Sequence, residues 1–125
     1  RPQLKQPGPQ MKKTGASVTV SCVSDGYEYM NYRISWVREV PGKGFEWMGW
    51  MHPRGGRANY SRRFQDRMSM YRDVSRETSY MDLRRLTVDD TAKYFCVRGR
   101  TCGGEDCYFW DLEFWGPGTL VIVTS

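Results

Sequence analysis

Four cysteines are the residues with the most distinctive possible chemistry in this chain of 125 residues. They lie at Cys22, Cys96, Cys102 and Cys107. An even number of cysteines in a short chain favours disulfides formed in an oxidising compartment, and their pairing is left open. Zinc binding is the alternative, but His52 is the only histidine, so two ligands at finger-like spacing to Cys102 and Cys107 are missing. We therefore expect disulfides, no metal site and no cofactor.

The same inventory offers little for catalysis. The sequence holds a single histidine, lacks a glycine-rich phosphate loop, and offers no convincing serine, histidine and aspartate set. The chain is therefore predicted not to be an enzyme.

Arginine is the other residue type that could do chemistry, and the net charge of the chain is +5. Arginines are dense between positions 54 and 76: Arg54, Arg57, Arg62, Arg63, Arg67, Arg72 and Arg76. A guanidinium binds carboxylates through two parallel hydrogen bonds and keeps its charge when partly buried. This pattern indicates a partner with an acidic or highly polar patch. Nucleic acid is one alternative partner, and a basic surface that serves solubility alone is another.

The elements that must position these residues are short strands. Apolar and polar residues alternate with a period of two in five segments, at residues 17–23, 34–38, 67–71, 79–83 and 120–123. Turns rich in glycine and proline separate them, and residues 87–90 could form one helical turn. This pattern predicts an all-β, antiparallel sandwich over residues 1–125. No apolar run is long enough to predict a membrane span or a membrane partner.

Five residues form a more specific pattern within these strands. Cys22, Trp36 and Cys96 suit a sandwich whose two sheets are joined across a thin core. Tyr94 stands two residues before Cys96, where its hydroxyl can bond back to the backbone. Asp90 is predicted to pair with a nearby arginine, either Arg67 or Arg38.

With these residues, the whole chain resembles an immunoglobulin heavy-chain variable domain. The matching segments are Trp36-Val37-Arg38, Glu46-Trp47-Met48-Gly49, residues 90–96 and Trp115-Gly116-Pro117-Gly118-Thr119. The resemblance implies a secreted, antigen-binding domain of the variable type that occupies residues 1–125. It also implies a disulfide between Cys22 and Cys96, which leaves Cys102 and Cys107 to bridge locally.

The resemblance further implies an antibody light chain as a partner. The residues expected to face it are Val37, Glu39, Phe45, Trp47 and Trp115. Exposed apolar residues grouped in this way are typical of an obligate interface. Glu39 stands where the family usually has glutamine, so a symmetric amide pair with the light chain is not expected.

Three loops would then carry the antigen contacts, at about residues 26–35, 50–66 and 99–114. Residues 50–60, 72–74, 86–90 and 110–115 resemble broadly neutralising antibodies against the primary-receptor-binding site of the HIV envelope glycoprotein. In that family the second loop imitates an edge strand of the receptor. The implied antigen contacts are Trp50, Arg54, Gly55, Gly56, Arg57, Ala58, Asn59, Tyr60, Arg62, Arg72 and Trp110. Arg72 would pair with an aspartate of the envelope.

Two other functions suit parts of this pattern. An antibody domain against another acidic antigen, such as nucleic acid, would share the basic second loop. An immunoglobulin-like receptor domain would share Cys22, Trp36 and Cys96, but is expected to lack the motif at residues 115–118. Asn59-Tyr60-Ser61 is a glycosylation sequon, and the resemblance to the HIV antibodies implies that it is unused, because a glycan there would obstruct the proposed contact surface.

Overall fold

In a computed structural model of the chain, residues 1–99 and 112–125 are described, and they form two β-sheets that share one core. The strands are β1 (Gln3–Lys5), β2 (Gln10–Lys13), β3 (Val18–Asp25), β4 (Ile34–Val40), β5 (Gly44–Met51), β6 (Ala58–Tyr60), β7 (Met68–Asp73), β8 (Thr78–Leu83), β9 (Ala92–Gly99), β10 (Leu112–Trp115) and β11 (Thr119–Thr124). Three 3-10 turns lie at Tyr29–Asn31, Val74–Arg76 and Val88–Asp90. This is the all-β sandwich that the alternating pattern predicts, and the five predicted strands are confirmed.

The strand order determines which segments lie at the edges of the sheets. One sheet has the order β1-β3-β8-β7, and the other has the order β2-β11-β9-β4-β5-β6, with β10 also pairing with β9. All of these pairings are antiparallel except that of β2 with β11. As a result β6, which belongs to the second predicted loop, is one of the two edge strands of the larger sheet.

A buried disulfide joins the two sheets. Cys22 on β3 is bonded to Cys96 on β9, and both are fully buried in the core with Trp36. The two cysteines are separated by 74 positions in sequence. In the chain-entropy model, a closed loop of that length stabilises the folded state by about 4 to 5 kcal/mol. The Cys22–Cys96 pairing implied by the resemblance is therefore confirmed. Cys102 and Cys107 lie outside the described residues.

A charged network closes the end of the sandwich opposite the predicted loops. Asp90 accepts hydrogen bonds from Arg38 Nη1 at 2.9 Å, from Arg67 Nη1 at 2.8 Å and from Arg67 Nη2 at 2.9 Å. Glu46 accepts one from Arg38 Nε at 3.0 Å. We call Arg38, Glu46, Arg67 and Asp90 the base network. The sequence left open whether Arg67 or Arg38 pairs with Asp90, and the structure shows that both do.

Local backbone geometry holds Asp90 in this network. It ends the 3-10 turn Val88–Asp90, and its carboxylate accepts a hydrogen bond from the backbone N–H of Thr87 at 2.9 Å. Burial opposes ionisation, but hydrogen bonds from Arg67, Thr87 and Arg38 outweigh it and lower the pKa of the Asp90 carboxyl to about 2. The Tyr94 hydroxyl donates to the backbone oxygen of Asp90 at 2.6 Å, as the sequence predicted. The helical turn at residues 87–90 is confirmed as well.

In the described ranges, no helix has both the length and the apolar character needed to cross a membrane.

Candidate functional site

The first two predicted loops and the base of the third meet at one end of the larger sheet. Arg33, at the end of the first loop, accepts a backbone hydrogen bond from Gly99 N at 2.9 Å. The first and second loops are joined by Arg54 Nη2, which donates to Asn31 Oδ1 at 3.0 Å. We call the region around Arg33, Trp50, Arg54, Arg57 and Arg72 the loop-end surface.

A tight turn between β5 and β6 shapes the centre of this surface. The backbone N–H of His52 donates to Arg57 O at 2.8 Å, and that of Gly56 donates to His52 O at 3.1 Å. Gly55 and Gly56 have φ values of 83° and 74°, in the left-handed region that side chains disfavour. The two glycines therefore permit a turn that exposes Arg54 and Arg57.

Arg72 reaches this turn from β7 in the other sheet. Its Nε donates to the backbone oxygen of Pro53 at 3.0 Å, and the side chain is half-buried. A Cβ at position 56 would lie 2.8 Å from Nη1 of Arg72, so glycine leaves the space that the guanidinium occupies. Within residues 1–99 and 112–125, no carboxylate pairs with Arg72. Its two terminal nitrogens are therefore available to an acidic group from outside this part of the chain.

Trp50 lies beneath two other arginines. The guanidinium carbon of Arg33 is 4.3 Å from the centroid of the indole ring, and that of Arg57 is 5.7 Å away. Both distances are within the range of cation–π attraction. Trp50 itself is only 7% exposed, so a partner can reach little of its ring directly.

The positive charges on this surface act on one another. Burial and the nearby charge of Arg57 lower the pKa of Arg33. Burial and the charges of Arg33, Arg54 and Arg57 lower the pKa of His52. His52 is thereby held toward its neutral form. The surface combines guanidinium donors with a positive potential, which is the chemistry that recognises an anion.

The other predicted antigen contacts of the second loop lie on or next to the edge strand β6. Ala58 and Tyr60 are half-buried, whereas Asn59 and Arg62 are exposed. The Tyr60 hydroxyl accepts a hydrogen bond from the backbone N–H of Met70 at 2.8 Å, so it contributes to joining the sheets. The remaining predicted antigen contact, Trp110, lies outside the described residues.

A stacked arginine supports the base of the third loop. Arg98 Nη2 lies 2.8 Å from Glu113 Oε1 across the loop. Its guanidinium carbon is 3.9 Å from the ring centroid of Tyr32 and 4.7 Å from that of Tyr27. These contacts bring residues on either side of the third loop into one network with the first loop, and sequence analysis did not single them out.

A separate aromatic cluster is formed by Phe45, Phe95 and Trp115. The ring of Trp115 lies 5.6 Å from that of Phe45 and 5.5 Å from that of Phe95. Phe45 is 60% exposed and Trp115 is 41% exposed. Sequence analysis missed Phe95, although the alternation of β9 could have found it: Tyr94 and Cys96 are buried, so Phe95 points to the opposite face.

The other residues predicted to face a light chain belong to neighbouring strands. Val37 on β4 is buried, Glu39 on β4 is exposed, and Trp47 on β5 is half-buried. The predicted set thus combines two residues of the aromatic cluster with an exposed carboxylate, a half-buried tryptophan and a buried valine.

A comparison with protein families identifies the scaffold that carries these two surfaces. The model of the immunoglobulin V-set domain matches residues 5–108. Domains of this family are generally binding domains without enzymatic activity and are typically extracellular or secreted.

Proposed function

The chain belongs to the immunoglobulin V-set family, and we propose that it is the variable domain of a secreted antibody heavy chain. It binds antigen through the loop-end surface and pairs with a light chain through the aromatic cluster. The resemblance at residues 115–118 favours this function over that of an immunoglobulin-like receptor domain.

Exposure of the aromatic cluster supports a light-chain partner. Phe45 and Trp115 are large apolar side chains that remain partly exposed beside Phe95. Exposed aromatic residues that contact one another mark an interaction surface more strongly than scattered ones do. An ionised Glu39 accepts hydrogen bonds but donates none, so the light chain would supply a donor to it.

We further propose that the antigen is the primary-receptor-binding site of the HIV envelope glycoprotein. The observation that carries this proposal is the position of Arg72. Nε is fixed to the Pro53 carbonyl, and the terminal nitrogens lack a carboxylate among the described residues. That arrangement suits a bidentate pair with an aspartate of the antigen. The edge position of β6, which would imitate an edge strand of the receptor, supports the same antigen.

The test uses the heavy chain paired with its light chain. Arg72→Ala is expected to weaken binding to the envelope glycoprotein by about 1 to 3 kcal/mol, because it removes a charged anchor. Arg85→Ala is the matched control, since Arg85 is an exposed arginine at the opposite end of the sandwich. Equal affinities of the native protein and the Arg72 variant in a direct binding assay would refute the role of Arg72.

Nucleic acid is the second candidate antigen, and it is favoured by the positive charge of the loop-end surface, whose arginines have no carboxylate partner among the described residues. Binding to phosphates falls steeply with salt because counterions are released. A titration of both antigens over a range of salt concentrations separates the two. The proposed function predicts binding to envelope glycoprotein that persists at physiological salt, whereas tight, salt-sensitive binding to DNA alone would favour the alternative.

A further inference from the structure

Two arginines other than Arg72 lie over the ring of Trp50. Arg33 and Arg57 lie against the indole, and in the turn His52 is hydrogen-bonded to the backbone of Arg54 and of Arg57. In the part of the chain that the structure describes, none of these arginines forms an ion pair. A group of like charges is thus held together without a partner on the described surface.

Stacking on a ring leaves the hydrogen-bonding capacity of a guanidinium intact. The five N–H donors of arginine lie in the plane of the group, whereas the ring contacts its face. The side chains of Arg33 and Arg57 donate no hydrogen bond to any residue of 1–99 or 112–125. Among the described residues, their donors therefore remain unused while the two groups lie against Trp50.

This arrangement has an electrostatic cost in the unbound protein. Arg33 is half-buried and loses water without gaining a carboxylate among the described residues. Arg57 adds repulsion, and the two effects together lower the pKa of Arg33. A ligand that brings negative charge would offset both penalties by attraction, so the site favours anions over neutral groups.

We propose that Arg33 and Arg57, held against Trp50, form a second anion subsite that binds a carboxylate of an acidic protein antigen. This subsite uses different arginines from the one at Arg72, and it rests on the proposed antigen-binding function. It adds Arg33, which the predicted antigen contacts omit, to the binding surface.

The covering of the aromatic ring favours an acidic protein over nucleic acid. Proteins that bind single strands commonly stack bases on exposed aromatic rings. Here the ring of Trp50 is 7% exposed, and the two arginines lie over it. Tyr32 lies against Arg98 instead of standing free. Side-chain carboxylates need only the N–H donors, and those are what the site offers.

The test measures binding of short acidic peptides to the domain paired with its light chain. Tetra-aspartate is titrated against isotopically labelled protein while the arginine Nε–Hε resonances are followed by NMR. Tetra-asparagine is the uncharged control ligand, and tetrathymidylate represents nucleic acid. We expect tetra-aspartate to shift the Arg33 and Arg57 resonances saturably and tetra-asparagine to leave them in place.

Matched variants show whether the effect is local. Arg33→Gln or Arg57→Gln is expected to weaken tetra-aspartate binding by about tenfold, the value of one charge-assisted hydrogen bond. Arg85→Gln removes the same charge at the other end of the sandwich and is expected to change binding less than about twofold. Because Arg57 is exposed, its variant keeps the test valid if the Arg33 variant does not fold.

Three results would overturn the proposal. They are absence of a saturable shift at Arg33 and Arg57, equal weakening by all three variants, or tighter binding of tetrathymidylate at the same residues. The envelope glycoprotein takes no part in this experiment. Failure here therefore leaves the Arg72 test standing, and failure of that test leaves this one standing.

Discussion

Arginines lie at both ends of this sandwich, but their surroundings differ. In the base network, Arg38 and Arg67 share the carboxylate of Asp90, and Arg38 also bonds to Glu46. On the loop-end surface, Arg33, Arg54, Arg57 and Arg72 contact backbone oxygens, an amide or an aromatic ring. Within the described ranges no carboxylate pairs with these four residues.

The difference indicates that arginine stabilises the fold at one end of the sandwich and is positioned for binding at the other. A guanidinium that already has a buried carboxylate contributes to stability, and removing its partner leaves an uncompensated charge. A guanidinium positioned by a ring or a carbonyl has donors left for another molecule. The comparison predicts that substitutions at the base network change stability, whereas those at the loop-end surface change binding.

The largest expected effect is on stability, at the base network. Asp90→Ala is expected to lower the free energy of unfolding by about 3 to 5 kcal/mol, because Arg38 and Arg67 would lose their shared partner. Denaturant unfolding of the native protein and the variant measures this change. A loss below about 1 kcal/mol would contradict this prediction, because exposed ion pairs contribute no more than that to the free energy of unfolding.

Acid is expected to remove part of the same stabilisation. The folded-state pKa of Asp90 is about 2, below the ordinary value of 3.8. The ionised carboxylate therefore makes its full contribution to the free energy of unfolding above about pH 4. That contribution is lost as the pH falls toward 2, and the shift in the pKa of Asp90 corresponds to about 2 kcal/mol. The difference in unfolding free energy between the native protein and Asp90→Ala should therefore shrink over this range. A constant difference would contradict the assignment.

The smallest expected effect on stability belongs to Arg57. Arg57→Gln removes an exposed charge that repels Arg33, so the free energy of unfolding should change by no more than about 0.5 kcal/mol. Unfolding under the same conditions as for Asp90→Ala provides the measurement. Destabilisation of 2 kcal/mol or more would show that the loop-end arginines support the fold, and the comparison would fail.

Much of the scaffold could be predicted from sequence because its signals are local. Alternation with a period of two identified the strands, and the spacing around Cys96 identified Tyr94 and its hydrogen bond to Asp90. Arg67 and Arg38 were expected near Asp90, but only the three-dimensional arrangement shows that both reach one carboxylate. The carboxylate has enough lone pairs for several donors, which sequence spacing alone does not reveal.

The candidate binding surface was less predictable because its contacts join distant segments. Arg33 precedes β4, yet it stacks on Trp50 of β5 and bonds to Gly99 at the end of β9. The sequence placed Trp50 among the antigen contacts without showing that two arginines lie over its ring. Predictions for Cys102, Cys107 and Trp110 fall outside the described residues and remain predictions.

The most direct test of the proposed function is the coupling between Arg72 and the receptor-site aspartate of the envelope glycoprotein. Affinities are measured for the paired heavy and light chains, with native or Arg72→Ala heavy chain, against envelope with and without that aspartate. A pair in direct contact is expected to give a coupling free energy of at least about 1 kcal/mol, because the second loss costs little after the first. Additive losses, or affinities that none of the changes affects, would contradict the proposed pairing.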